Sequence, residues 1–146
     1  MKYISYGSNM VQSQMAYRCP NAKLLGMGYL RNYRLEFYLH ATVEPSLSEI
    51  QGVPVAVWEI DDSDERSLDR YESYPSYYTK RQVTVEMNDG SQIEGMIYLM
   101  CMIHHFPPAP DYYEDIRQTY EELGIAHEID RVLRPALDRS KQRSRR

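Results

Sequence analysis

The chain has 146 residues, a formal net charge of −4, and 14 Tyr against 2 Phe and 1 Trp. This aromatic content excludes an intrinsically disordered chain, and the length fits a single domain. A mean hydropathy of −0.63, with no apolar run near the ~20 residues of a membrane helix, excludes a helix that spans a bilayer and predicts no membrane partner. The short, mixed N-terminus does not resemble a signal peptide, so we expect a cytoplasmic protein.

The first half of the chain alternates short apolar segments with turn-forming residues. Ser8 or Asn9 is expected to cap a short helix that ends before Pro20. Residues 41–50 have no clear period and are expected to form a loop. The predicted strands of this half are 2–6, 24–30, 34–39 and 51–60.

A helix and a hairpin are predicted next. Asp61, Asp62 and Ser63 are candidate N-caps, and Glu65 has capping-box spacing from Asp62, so a helix is expected to begin here and to end before Pro75. The turn at 88–90, Asn-Asp-Gly, joins strands 78–87 and 91–101. The second of these strands is apolar on both faces, which predicts a central strand covered on both sides.

The C-terminal third is predicted to be helical. Asp111 is expected to cap a helix that Gly124 closes, and a last amphipathic stretch spans 127–138, where Pro135 interrupts it. In all, about six strands and three or four helices are expected. The sequence therefore predicts an α+β protein with mostly antiparallel strands.

The two cysteines indicate the redox compartment of the protein. Cys19 and Cys101 are expected to be buried free thiols in a reducing compartment, although the two could pair.

Residues 139–146 carry five positive charges, whereas the preceding 138 residues are acidic. The acidic body predicts no specific nucleic-acid partner. The basic segment predicts a disordered, solvated tail after a single domain of residues 1–138.

Several familiar kinds of site are missing. The segment 26–28, Gly-Met-Gly, lacks the third glycine of a dinucleotide-binding loop, and no phosphate-binding loop or nucleophile elbow is present. His104 and His105 are adjacent, but no cysteine or carboxylate joins them at ligand spacing. We therefore expect no metal site and no cofactor.

Two segments remain as candidates for chemistry. Tyr6-Gly7-Ser8-Asn9 follows the first strand, and such a turn can present consecutive backbone N–H groups to an anion or a developing oxyanion. The alternative is an ordinary strand-to-helix turn.

Glu72 lies at the predicted end of a helix among several tyrosines, where the helix dipole and burial would raise its pKa towards that of a general acid–base. The alternative is a solvated glutamate at a helix end.

Taken in order, these motifs resemble the gamma-glutamylcyclotransferase-like family. The resemblance covers about residues 3–125. It rests on five segments: Tyr6–Met10, Arg18–Ala22 with Gly26, Gly52 with the strand at 53–58, Leu68–Glu72, and Tyr78 to Tyr98 with the later Pro107-Pro108 and Leu123-Gly124. One position differs, because Ser73 stands where the family usually has glycine after the motif glutamate.

The resemblance implies a fold, an activity and a set of site residues. The fold is a small mixed β-barrel, mostly antiparallel and flanked by helices. The activity is cyclisation of a small gamma-glutamyl amine or peptide to 5-oxoproline with release of an amine, without cofactor or metal. Glu72 would be the general acid–base. The substrate-binding residues would be Tyr6, Gly7, Ser8 and Asn9, together with Tyr78 and Tyr98.

Two other classes of function remain open at this stage. A non-catalytic binding module on the same fold would keep the Tyr6–Asn9 loop without using Glu72 as a base. An interaction protein would work through residues 139–146. The sequence identifies neither the leaving amine nor the oligomeric state.

Overall fold

The computed structural model describes residues 1–144. Its strands are β1 (Lys2–Ser5), β2 (Lys23–Leu30), β3 (Tyr33–Tyr38), β4 (His40–Pro45), β5 (Val53–Glu59), β6 (Tyr78–Met87) and β7 (Gln92–Met100). Its α-helices are α1 (Gln12–Arg18), α2 (Asp62–Tyr71), α3 (Pro110–Glu122) and α4 (Arg134–Ser144). A 3₁₀ turn at Ser8–Met10 precedes α1, and a π-helical turn at Ile129–Leu133 precedes α4. Within residues 1–144, no helix is both long and apolar enough to cross a bilayer.

Five strands close into a barrel in the order β1-β5-β2-β6-β7, and β3 and β4 form a separate two-stranded sheet. All pairs are antiparallel except β1 with β7, which run parallel where Tyr3 lies opposite Met96. The α+β class and the predominance of antiparallel strands are confirmed. The barrel has five strands rather than about six, because β3 and β4 pair only with each other.

Two strands of the barrel approach each other closely at Gly28. A Cβ atom on Gly28 would lie 2.4 Å from the carbonyl oxygen of Glu86, where β2 runs beside β6. Glycine is therefore required at this position by packing. The Gly-Met-Gly segment is therefore part of strand β2.

The predicted loop at 41–50 is wrong in its first half. Strand β4 pairs with β3 across a tight turn in which Tyr38 lies opposite His40, and Leu39 takes a left-handed conformation with φ of 72°. Three successive residues of β4 are buried, namely Ala41, Thr42 and Val43. Because both faces are covered, the strand lacks the alternation by which it could have been predicted.

The helix starts differ from the predicted caps by one or more residues. Helix α1 begins after Val11, without a side-chain cap from Ser8 or Asn9. Helix α2 is capped by Asp61, one of the three predicted candidates, and its capping box pairs Asp61 with Asp64 instead of Asp62 with Glu65. Each carboxylate accepts the backbone N–H of the other residue, at 2.8 and 3.1 Å. Helix α3 begins after Ala109 and carries Asp111 in its first turn.

The C-terminal segment also differs from the prediction. Helix α4 continues through residue 138 to Ser144. Arg139 is held at β3, where its Nε donates to the Glu36 carboxylate at 3.1 Å and its Nη2 to the Leu35 carbonyl at 2.8 Å. These contacts fix part of the segment expected to be mobile, and residues 145 and 146 lie outside the described part of the chain. Cys19 is buried as predicted, whereas Cys101 is exposed, and both thiols are free.

The end of α2 explains the residue that departs from the family pattern. The N–H of Ser73 donates to the Arg70 carbonyl at 3.2 Å, and that of Tyr74 to the Asp69 carbonyl at 2.9 Å. This is a Schellman motif, whose C′ position requires a left-handed backbone. Ser73 takes that conformation with φ of 51°. Glycine would adopt it without the steric cost that a Cβ atom carries.

We therefore expect Ser73→Gly to raise the free energy of unfolding by about 1 kcal/mol, because glycine removes the left-handed strain at the C′ position. Urea unfolding followed by circular dichroism measures the change. Ser76→Gly, in the same turn but without positive φ, is the matched control and is expected to lower stability. A loss of stability in both variants would show that strain at Ser73 is negligible.

Candidate active site

A cavity of about 310 Å³ opens beside the barrel. Every residue that the sequence singled out lines it: Tyr6, Gly7, Ser8, Asn9, Glu72, Tyr78 and Tyr98. The other lining residues are Tyr3, Ile4, His40, Ala41, Tyr71, Ser73, Tyr77 and Tyr112. The volume is at the small end of ligand pockets. The Tyr6–Asn9 loop and the end of α2, which are about 60 residues apart in the sequence, thus line the same cavity.

Glu72 is the first residue beyond α2, where its backbone N–H donates to the Leu68 carbonyl at 2.8 Å. Burial raises the pKa of its carboxyl from 4.5 to about 7, and the charge of Arg18 opposes that rise. Among residues 1–144, no side chain or backbone group forms a hydrogen bond or ion pair with this carboxylate. A carboxyl group with this pKa and no bound partner is suited to exchanging protons with a ligand near neutral pH.

Hydrogen bonds of tyrosine hydroxyl groups hold one part of the cavity wall in place. Tyr6 Oη donates to the Tyr98 carbonyl at 2.6 Å, and Tyr78 Oη donates to the Ala41 carbonyl at 2.8 Å. The backbone N–H of Ala41 in turn donates to Tyr112 Oη at 2.9 Å. Burial raises the pKa of Tyr6, Tyr78 and Tyr112, so these phenols stay neutral. The wall is therefore rigid and uncharged.

A second network fixes Tyr98 from outside the cavity. Tyr98 Oη donates to Asp69 Oδ1 at 2.6 Å. Lys80 Nζ lies 2.8 Å from the same carboxylate oxygen and 2.7 Å from Glu65 Oε2, so one lysine joins two acidic residues of α2 to β6. The network ties α2, which carries Glu72 at its end, to the two barrel strands beneath it.

Asn9 acts on the cavity mainly through other residues. Its Nδ2 donates to Tyr3 Oη at 3.1 Å, and its Oδ1 accepts from Arg18 Nη1 at 2.8 Å. With both ends of the amide engaged, the buried side chain braces the 3₁₀ turn that holds Gly7 and Ser8 at the cavity. What this segment offers to a ligand is thus its backbone.

The sequence did not reveal His40 and Tyr112 as part of the site. His40 Nδ1 is 2.7 Å from Tyr77 Oη, and its ring packs edge-to-face against Tyr77 and Tyr112. Burial lowers the pKa of His40, so the imidazole is neutral at physiological pH. Neither residue lies in a motif; β4 carries His40 and α3 carries Tyr112, and only the folded chain brings them together.

Of the two adjacent histidines, His105 pairs with a buried carboxylate. His105 Nε2 lies 2.7 Å from Glu36 Oε2, a carboxylate that also pairs with Arg34 and Arg139. In the part of the chain that the structure describes, no three His, Cys, Asp or Glu side chains are placed to hold a metal ion together. His105 is thus one of three side chains that surround a buried carboxylate.

Comparison with known proteins identifies the family of the chain. Residues 3–123 match the family model of gamma-glutamyl cyclotransferase, AIG2-like. The gamma-glutamylcyclotransferase of Homo sapiens is 30% identical over 146 aligned residues, and that of Bos taurus is 28% identical over 145; each match covers 90% of this chain and 76% of the relative. A solved gamma-glutamyl cyclotransferase structure superposes with a TM-score of 0.79 at 27% identity, covering 91% of this chain and 85% of that one. The resemblance drawn from the motifs is confirmed, and the chain belongs to the gamma-glutamyl cyclotransferase, AIG2-like family of enzymes.

Proposed function

We propose that the protein cyclises a small gamma-glutamyl amine or peptide to 5-oxoproline and releases a free amine. The observation that carries the proposal is the unpartnered Glu72 carboxyl, with a pKa of about 7, in a cavity that the Tyr6–Asn9 segment also lines. Membership of the family and relatives named gamma-glutamylcyclotransferase support the reaction class.

Glu72 is proposed to carry protons from the substrate's α-nitrogen to its leaving nitrogen. The substrate's α-ammonium group must lose a proton before its nitrogen can attack the γ-carbonyl carbon. Ionised Glu72 accepts that proton, and the attack forms the C–N bond that closes the five-membered ring. The bond to the leaving nitrogen breaks as Glu72 returns the proton to it, and the ring nitrogen releases its second proton, which the free amine takes up as an ammonium ion. The carboxylate is regenerated, so the reaction balances without water or a co-reactant.

The remaining lining residues are proposed to bind and orient the substrate. The backbone at Gly7 and Ser8 would donate hydrogen bonds to the substrate carboxylate or to the oxyanion formed by attack at the carbonyl. Tyr6, Tyr78 and Tyr98 form the rigid wall against which the glutamyl chain folds. Because both reacting groups belong to one molecule, holding it in a folded shape supplies a large part of the catalysis.

A non-catalytic binding module is less well supported than the enzyme. Such a module would not need a carboxyl group with a pKa near 7, because a carboxylate of ordinary pKa also pairs with a ligand's ammonium group. The raised pKa of Glu72 therefore supports a role in proton transfer over one in binding alone.

The proposal is tested by incubating the protein with a panel of gamma-glutamyl amines and gamma-glutamyl dipeptides. Chromatography with mass detection should show 5-oxoproline and free amine in equal amounts for at least one substrate. Formation of glutamate instead would indicate hydrolysis, and no turnover of any substrate would favour the binding module.

A further inference from the structure

Arg18 lies at the end of α1, beside the cavity but outside the group of residues that line it. Its Nη1 donates to Asn9 Oδ1 at 2.8 Å and to Gln14 Oε1 at 3.0 Å. The guanidinium carbon lies 3.8 Å from the centre of the Tyr71 ring, which immediately precedes Glu72. The guanidinium group is thus fixed between Asn9 and Tyr71, two residues of the cavity wall.

The backbone of Arg18 is anchored as well. Its carbonyl accepts a hydrogen bond from Ser67 Oγ of α2 at 2.7 Å. This bond joins the end of α1 directly to the helix that positions Glu72. The position of the cation relative to Glu72 is therefore set by the main chain and by three side-chain contacts.

Charge is scarce around Glu72. Arg18 faces it from α1, the phenols of Tyr3 and Tyr6 from β1 and the following loop, Tyr78 and Tyr98 from β6 and β7, and Tyr112 from α3. The neutral imidazole of His40 lines the same cavity from β4. The phenols are neutral because burial raises the pKa of each of them. Arg18 is the one group in this set that carries a charge near neutral pH.

We propose that Arg18 is a positioning residue of the reaction, whose fixed guanidinium favours the ionised form of Glu72, the form that can accept a proton from the substrate ammonium. The inference rests on the proposed function for its role in turnover, while the effect of Arg18 on Glu72 stands apart from it. Burial favours the protonated carboxyl, and a nearby cation favours the carboxylate. Arg18 thereby limits the effect of burial, so that both forms of Glu72 exist near pH 7.

Three variants separate this electrostatic role from a structural one. Arg18→Gln keeps a hydrogen-bond donor for Asn9 and removes the charge. Arg18→Lys keeps the charge and loses the flat contact with Tyr71. Arg66→Gln makes the same change at an exposed position of α2 and serves as the matched control.

The test measures the titration of Glu72 directly. In protein carrying ¹³C-labelled glutamate, the carboxyl signal of Glu72 is assigned by its absence in Glu72→Gln, and its midpoint is followed from pH 5 to pH 9. We expect Arg18→Gln to raise the midpoint by about one pH unit, Arg18→Lys to restore it, and Arg66→Gln to leave it unchanged. The acid limb of kcat/KM should move by the same amount, giving about a tenfold loss at pH 6.

An unchanged Glu72 midpoint in Arg18→Gln would overturn the inference, even if activity fell, since Arg18 would then only brace Asn9 and Tyr71. A shift that Arg18→Lys fails to restore would also overturn it, because charge alone would not be the cause. If the wild-type protein formed no 5-oxoproline, the proposed function would fail, while the titration would still decide whether Arg18 controls the ionisation of Glu72.

Discussion

Glu72→Gln is expected to lower the rate of 5-oxoproline formation by about 10²–10⁴-fold, the usual contribution of a positioned general acid–base. Glutamine has nearly the shape of glutamate, and the wild-type carboxylate has no hydrogen-bond partner among the described residues to lose. The amide can neither accept the ammonium proton nor return one to the leaving amine. The initial rate on the best gamma-glutamyl substrate, at saturating concentration, measures the loss.

The control for this variant is Glu94→Gln, the same change at an exposed position of β7. We expect it to retain wild-type turnover. Substrate binding by Glu72→Gln, measured by calorimetry, should be largely kept, because the loss falls on the transition state. If Glu72→Gln and Glu94→Gln turn over at the same rate, the proton carrier is another group.

Unfolding cannot account for the expected loss of activity. The pKa of Glu72 is raised in the folded protein, so the native state binds more protons than the unfolded state between about pH 4.5 and pH 7. Its contribution to stability therefore falls as the pH rises through this window. Glu72→Gln removes the charge responsible, and the variant should be at least as stable as wild type above pH 7.

Glu36→Gln is expected to have the largest effect on stability, lowering the free energy of unfolding by about 3 kcal/mol. The Glu36 side chain is 0% exposed, and three cationic or ionisable side chains point at it. Arg34 Nε lies at 2.6 Å, His105 Nε2 at 2.7 Å and Arg139 Nε at 3.1 Å. An uncharged amide would leave both guanidinium groups without a counter-charge in a half-buried site.

Denaturant unfolding of Glu36→Gln against Glu94→Gln measures this effect. Deleting residues 139–146 provides a second test. A disordered tail could be removed without loss of stability, whereas this deletion removes Arg139, which pairs with Glu36. We expect the deletion to lower stability in the same direction as Glu36→Gln. Wild-type stability in both variants would show that the ion cluster is not required.

The parts of the site that could be predicted are local in sequence. The Tyr6–Asn9 turn and the helix end at Glu72 are each set by a few neighbouring residues, so their motifs, and the direction of the pKa shift at Glu72, can be predicted along the chain. The hairpin at 88–90 is local in the same way: β6 and β7 pair across it, and β7 is covered on both faces.

The parts that could not be predicted depend on contacts between distant residues. Glu36 and Arg139 are separated by 103 positions, and no pattern in either segment marks the pairing. The hydrogen bond from Tyr6 to the Tyr98 carbonyl spans 92 positions and exists because β1 and β7 close the barrel. Arg18 and His40 join the site in the same manner, through the packing of α1 on α2 and of β4 beside the barrel.

The pH dependence of kcat/KM for the wild-type enzyme tests most directly the claim that Glu72 carries the proton. Ionised Glu72 is the base, so kcat/KM should rise tenfold per pH unit below the pKa of its carboxyl and level off near pH 7. The limb should be absent from the residual activity of Glu72→Gln. A wild-type profile that is flat from pH 5 to pH 8, or the same limb in Glu72→Gln, would contradict the account.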